Sequence, residues 1–422
     1  MEQTKVVSTQ SLRALDYLNA LLAHVREGAG PYLAIYLLTT HHWDPSSIGV
    51  AMSAMGIGTV LAQTPCGGFI DTLKQKRLLI ALAALLVGVS CAALTVFSNV
   101  EFVILIQTLN GVAVAMFPPA VAAITLGLVG PTLFAPRIGR NEAFTHAGNV
   151  GAAALTGVAG YVLGPAWIFY LVTMLAIASI VSVYCVREQD IDHALARAAV
   201  PQIHAPGETA SGITTLLSNR TLLMFALSST LFHFANAAML PLAGQLLSHD
   251  SARSASLSMS ACIIAAQVVM VPVAALAGTW AQRWGRKPVF LIAFAALPIR
   301  GLLYTLGDDP LFIVAVQLLD GIGAGIFGVL WLTVVADLMA GTGRYNLALG
   351  AIATAQGIGT VLSNLAAGYV VQGWGYHAGF VFLAGVAALA LCLFAWAMPE
   401  TGPSHAIPVT ARMYSSDFPS SS

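Results

Sequence analysis

Gly67-Gly68-Phe69-Ile70-Asp71-Thr72-Leu73-Lys74-Gln75-Lys76-Arg77 is a short charged hairpin between two apolar runs, 47–70 and 78–97. Each run is long enough to cross a bilayer as a helix, because about 20 residues at about 1.5 Å each span the hydrocarbon. The link between them must reach water, since ionised side chains are costly in lipid. A related link stands near residue 280: Gly278-Thr279-Trp280-Ala281-Gln282-Arg283-Trp284-Gly285-Arg286-Lys287. The chain therefore reads as one membrane unit written twice.

The 422 residues are 58% hydrophobic and 9% charged, with a mean hydropathy of +0.81. A soluble domain carries about 25% charged residues, so this chain has too few ionised groups to clothe a water-facing surface. An all-α, polytopic membrane protein is the class that fits. The formal net charge is zero, which gives no electrostatic footing for a nucleic-acid partner. Cys66, Cys91, Cys185, Cys262 and Cys392 lie in apolar runs without paired spacing and read as small buried hydrophobes. His41 and His42 stand too isolated to hold a metal. No cofactor site, nucleophile–base cluster or phosphate loop for ATP stands out, so an enzyme is not expected. Residues 1–13 are polar, and the first apolar run continues too long for a cleavable signal.

Run lengths place twelve spans at roughly 14–38, 47–70, 77–97, 101–127, 141–163, 166–186, 220–247, 255–280, 288–307, 311–339, 346–372 and 377–398. The implied organisation is a six-helix bundle over 1–185 and a second over 220–400. Between them runs a cytoplasmic linker, 186–219, helical in part around 191–199; a Ser- and Pro-rich disordered tail, 401–422, follows. With both termini inside, 15 of the 18 Lys and Arg fall on the cytoplasmic side. Only Arg253 falls outside, while Arg26 and Arg300 lie within spans. Cytoplasmic loops are enriched in Lys and Arg, and an odd number of spans would scramble this partition. Short loops without soluble domains suit a bacterial inner membrane, and a monomer is expected.

An internal repeat supports the doubling. Ile106-Gln107-Thr108-Leu109-Asn110-Gly111 matches Val316-Gln317-Leu318-Leu319-Asp320-Gly321, 210 residues on. Pro31 and Pro241 share that offset, and Gly160-Tyr161 and Gly368-Tyr369 stand 208 apart. Two like-oriented six-helix halves follow, the parallel-repeat plan of one large transporter class.

On these residues the chain resembles the major facilitator superfamily, whose signature is a loop G-x-x-x-D-(R)-x-G-(R)-(R/K) between spans two and three, echoed between eight and nine. The first copy keeps Gly67, Asp71, Lys76 and Arg77, with Lys74 where the family has Gly. The second keeps Gly278, Arg283, Gly285, Arg286 and Lys287, with Gln282 in place of Asp. Pro399-Glu400-Thr401 is similar to the family's ending of span twelve. The likeness runs from about Asp16 to Thr401 and implies twelve spans in two bundles, alternating access and a small-molecule substrate of unstated kind. It also implies that both hairpins latch the halves on the cytoplasmic side, with Asp337 supplying the missing anion for Arg283 or Arg286.

Candidate site residues follow from polar groups within apolar spans. At about 100° per residue, Asp16, Asn19, Arg26 and Glu27 share one arc of span one. They should face an aqueous cavity, because each charge facing lipid costs about 2.5–3.5 kcal/mol on insertion scales. His233 and Asn236 share a face of span seven. Gln107 and Asn110 on span four match Gln317 and Asp320 on span ten, and Arg300 on span nine lies at a depth that allows an ion pair with Asp320. Structural readings stand beside each: a solvated helix end for Asp16, a hydrogen-bonded interior imidazole for His233, a packing salt bridge for Arg300. Family antiporters often carry an Arg where this chain has Gln107. The expected activity is secondary transport coupled to protons, with Glu27 first and Asp320 second as the titrating carboxylate. Efflux of a drug or siderophore-like metabolite is the favoured direction; rivals are a proton symporter importing a sugar or organic acid, and a non-transporting membrane sensor.

Overall fold

The computed structural model describes residues 7–27, 29–197, 218–248, 251–339, 342 and 344–402. Its helices are α1 (Thr9–Glu27), α2 (Gly30–His41), α3 (Pro45–Thr72), α4 (Lys76–Leu94), α5 (Val100–Val162), α6 (Ala166–Cys185) and the short α7 (His193–Arg197), then α8 (Arg220–Ala237), α9 (Met239–Leu247), α10 (Ala252–Trp284), α11 (Arg286–Leu303), α12 (Pro310–Leu338) and α13 (Tyr345–Ala397). They make twelve passes: α1–α2 and α8–α9 are each one broken pass, while α5 and α13 each hold two. Among the described residues, eight helices are long and apolar enough to cross a membrane on length and composition alone. The passes outside that set, α1–α2, the second arm of α5 and α11, carry Asp16, Arg26, Arg137, Arg140, Glu142 and Arg300. Exposed Leu82, Leu105, Val158, Ile177, Val268 and Leu389 cover the outside, as a lipid-facing surface requires. The protein is a multi-pass membrane protein.

Proline chemistry explains the two broken passes. A proline lacks the amide hydrogen and its ring meets the carbonyl four residues back. Pro31 stands four residues after Glu27, where α1 stops, and Pro241 stands four after Ala237, where α8 stops. The breaks are therefore separated by the same 210 residues as the sequence repeat. Gly30 enters α2 at φ 40°. At the second break, the Ala238 amide donates to buried Ser363 Oγ at 3.0 Å, so the interruption is capped from α13.

The segment 128–140, read from sequence as a link, is helical. Gly130 alone turns the chain, at φ 68° and ψ 174°, and Pro131 opens the second arm where its missing amide hydrogen is not needed. Gly375 (φ 82°, ψ 172°) joins the arms of α13 in the same way, and Gly285 (φ 94°, ψ 160°) joins α10 to α11. This backbone region is open essentially to glycine alone. The start of the linker is held: the Asp192 amide donates to Gly127 O at 2.8 Å. Residues 198–217 and the tail from 403 lie outside the described residues.

The two halves meet through α3 against α13, α5 against α10, and α2 against α9 and α10. We call the end carrying both charged hairpins the cation-rich end. At the opposite, far end, glycines let backbones touch: a Cβ on Gly49 would come within 2.5 Å of Asn364 O, and one on Gly368 within 2.6 Å of Pro45 O. Close approach of small residues is the main source of helix adhesion in lipid, where burying apolar surface gains little. Ser53 Oγ reaches Val361 O at 2.9 Å and Tyr32 Oη meets Ser260 Oγ at 2.6 Å, both across the halves. The ion pairs described at the cation-rich end each stay within one half or its linker: Asp16 with Arg137 and Arg140, Arg77 with Glu188, and Arg286 with Asp337. The molecule is sealed at the far end.

Candidate transport site

A cavity of about 470 Å³ lies between the halves, lined by Pro31 and the α3 residues Met52, Thr59 and Gln63 on one side and by Asn236, Arg300, Asp320 and Thr360 on the other. A smaller adjoining space shares Gly30, Pro31, Leu240 and Asp320 with it and adds His24, Asn149, Gln267 and Gln317. Both helix breaks border this volume.

Its charged wall belongs to the second half. Arg300, on α11, is 1% exposed. Its guanidinium bonds Asp320 on α12 and the Asn236 Oδ1 on α8, with Met239 Sδ at 3.2–3.3 Å. Gln317 Nε2 donates to the other oxygen of Asp320 at 3.0 Å, and the Tyr304 hydroxyl donates to Gln317 Oε1. Within the pair only Asp320 reaches the cavity appreciably: its side chain is 21% exposed, against 2% for Arg300. The arrangement ties three helices to one carboxylate that water can reach.

The other expected site residues divide. Asp16 does not line the cavity and is not a solvated helix end. It is 4% exposed, and Arg137 and Arg140 clamp it at 2.7 and 2.8 Å. Both arginines sit at the start of the second arm of α5, in the stretch before residue 141 that the sequence reading treated as loop. Asn19 and Arg26 line a different cavity, inside the first half. The Glu27 side chain lies outside the described residues. Gln107 and Asn110 are buried and bond each other along α5 at 3.3 Å, away from these cavities. His233 bonds Ser229 O at 3.0 Å and packs its ring on Phe232 and Phe327. It lines none of these spaces.

Among the hairpin residues, Lys76 donates to Ile70 O and Leu73 O at 2.9 and 3.0 Å, capping α3. Arg77 bonds Val186 O at 2.7 Å and pairs with Glu188. Gly67 and Gly278 lie within α3 and α10, Arg283 is in the last turn of α10, and the Asp71 side chain is outside the described residues. Arg286 pairs with Asp337 at 2.8 Å. Glu400 receives the amides of Arg286 and Lys287 at 2.8 and 3.0 Å. Burial pushes the Glu400 carboxyl up, but these amides and those of Gly402 and Thr401 outweigh it and leave it below its ordinary range.

Sequence reasoning missed Gln63, Thr59 and Thr360 in the main cavity, Asn149 and Gln267 in the adjoining space, and Asn141 and Glu142 in the inner one. Single uncharged polar residues are common in membrane helices, so nothing in the pattern marked the first five.

Comparison with known proteins bears on this architecture. The profile of the Major Facilitator Superfamily matches residues 18–280 and 267–418. The chain belongs to the Major Facilitator Superfamily. An uncharacterized MFS-type transporter of Mycobacterium tuberculosis is 50% identical over 392 residues, covering 92% of this chain and 93% of that one. Sugar efflux transporter A of Dickeya chrysanthemi is 32% identical over 129 residues, covering 29% of this chain and 31% of that one. Solved facilitators share the fold. A point variant of the nucleoside transporter NupG superposes with TM-score 0.79 at 18% identity, covering 92% of this chain and all of that one. The D-xylose-proton symporter superposes with TM-score 0.71 at 14% identity, covering 93% and 98%. Membership in this superfamily makes the protein a transporter by family and accounts for the repeated halves.

Proposed function

We propose that the chain is a proton-coupled secondary transporter that moves a small organic molecule out of the cytoplasm by alternating access. The single observation that carries this is Asp320. It is the one carboxylate among the described residues lining the space between the halves, and it is ion-paired to a buried arginine where α8, α11 and α12 meet. Protonating it removes the charge partner of Arg300 and leaves Asn236 and Met239 to hold the guanidinium. A bistable bundle responds to such a change because the two protonation states favour different packings. Substrate entering the cavity competes for the same groups, so proton and substrate occupy Asp320 in turn.

The excess of Lys and Arg at the cation-rich end supports placing that end, with both termini, in the cytoplasm. The far-end seal then makes this conformation cytoplasm-facing. The local likeness to a sugar efflux transporter supports the outward direction. The cation-rich hairpins, with Asp71 and Asp337, would close the cytoplasmic side in the opposite state.

The test is purified protein in liposomes loaded with a pH-sensitive dye, with labelled sugars, nucleosides, drugs and amino acids supplied in turn under an imposed pH gradient. Counter-movement of protons and substrate, abolished by Asp320→Asn, is the expected result. Parallel movement would make the protein a symporter. Transport indifferent to the gradient and to Asp320→Asn would overturn the proton-coupled reading, and no transport across the panel would favour a sensor.

A further inference from the structure

A second cavity, of about 170 Å³, lies inside the first half between α1 and the two arms of α5. Arg26 and Glu142 both line it, with Asn19, Asn141 and Thr145, while Phe117, Val121 and Ile138 supply an apolar wall. Among the described residues neither Arg26 nor Glu142 has an ion pair or a hydrogen bond, to each other or to any neighbour. Asn141 is 3% exposed; its amide nitrogen donates to Thr125 Oγ1 at 3.0 Å, but its Oδ1 is buried without a donor. The cavity thus presents an unused cation and an exposed, unused anion, with an orphaned acceptor buried behind its wall.

A guanidinium does not shed its proton in a protein, and Arg26 is half-buried in the first pass, where an unpaired charge is costly, while Glu142 is exposed. A simple anion would satisfy Arg26 and be repelled by Glu142; a simple cation would do the reverse. A molecule carrying both charges a few bonds apart satisfies the two together. We propose that this cavity is the recognition subsite for a zwitterionic head group of the amino-acid type. The carboxylate lies on Arg26, whose planar fork donates to two oxygens side by side. The ammonium lies on Glu142. The carbon skeleton rests on Phe117, Val121 and Ile138. This assignment rests on the transporter reading above for the route by which the ligand travels.

The experiment measures thermal stabilisation of the full chain in detergent micelles, with no gradient imposed. The probes are glycine, β-alanine, γ-aminobutyrate, leucine and phenylalanine, each beside its N-acetyl and amide derivatives. At least one zwitterion should raise the melting temperature while its two derivatives do not. Arg26→Gln should weaken that probe about tenfold to hundredfold, the range for losing charge-assisted hydrogen bonds, and Arg26→Lys should restore part of it. Glu142→Gln should admit the N-acetyl derivative, a gain that mere destabilisation cannot produce. The proposal is overturned if no zwitterion stabilises the protein, if the derivatives bind as well as the parents, or if both variants respond as wild type does. Neither a gradient nor flux enters this measurement, so a failure of proton coupling and a failure of this subsite are read separately.

Discussion

At the scale of single residues, Arg300 and Asp320 form a pair whose halves are not equivalent, one sealed and one wetted. Removing a single member of a buried pair strands the other charge, which costs about 3–5 kcal/mol. We therefore expect Arg300→Leu and Asp320→Leu each to lower the melting temperature sharply. The double variant should recover most of that loss while remaining uncoupled to protons, read by thermal unfolding and dye-reported proton flux. Asp190 offers a pH test outside the membrane. It accepts from Ser11 Oγ at 2.6 Å and from Ser8, and these bonds hold its carboxyl below the ordinary 3.8. A depressed folded value stabilises at pH above 3.8 and loses that contribution as pH falls through the folded value. The melting-temperature gap between wild type and Asp190→Ala should therefore be full at neutral pH and shrink only below about pH 4. The Arg300–Asp320 pairing was legible because both depths can be counted from span ends. The clamp on Asp16 was not, because Arg137 and Arg140 look like loop cations until Gly130 is known to replace the loop.

At the scale of elements, three joints share one backbone conformation, at Gly130, Gly285 and Gly375. A side chain there is strained whatever space surrounds it, by about 1–3 kcal/mol. Gly375→Ala should lower the melting temperature by a clear margin, whereas Gly385→Ala, in the helical stretch of the same element with open space around it, should be neutral or slightly stabilising. Gly285 belongs to the sequence signature, and its turn explains its place there without any contact to substrate. Helices, their number and their repeat could be read from run length, cation placement and the matched segments. The breaks in the first and seventh passes could not, although their cause was printed as Pro31 and Pro241: an apolar run looks continuous whether or not a carbonyl inside it has lost its donor.

At the scale of the whole molecule, the far-end seal is a surface of glycine and serine backbone contacts. Cysteines at Ser53 and Val361 should cross-link in the resting protein and arrest transport until reduced. Gly368→Val should instead wedge the seal apart and raise far-side labelling of Thr59→Cys, a residue lining the main cavity. If Gly368→Val leaves labelling unchanged, the glycine contact is not what holds that end shut. Sequence reveals the two halves but not which end is closed, because both conformations are properties of one chain. The single-residue elbows carry one more consequence. At residue 130 the first half is stiff at the cation-rich end, and at residue 375 the second half is stiff at the far end. A few inserted residues at either elbow would uncouple two arms that now swing as one lever, so epitope tags placed there should silence the protein, while a tag in the chain beyond residue 402 should pass unnoticed.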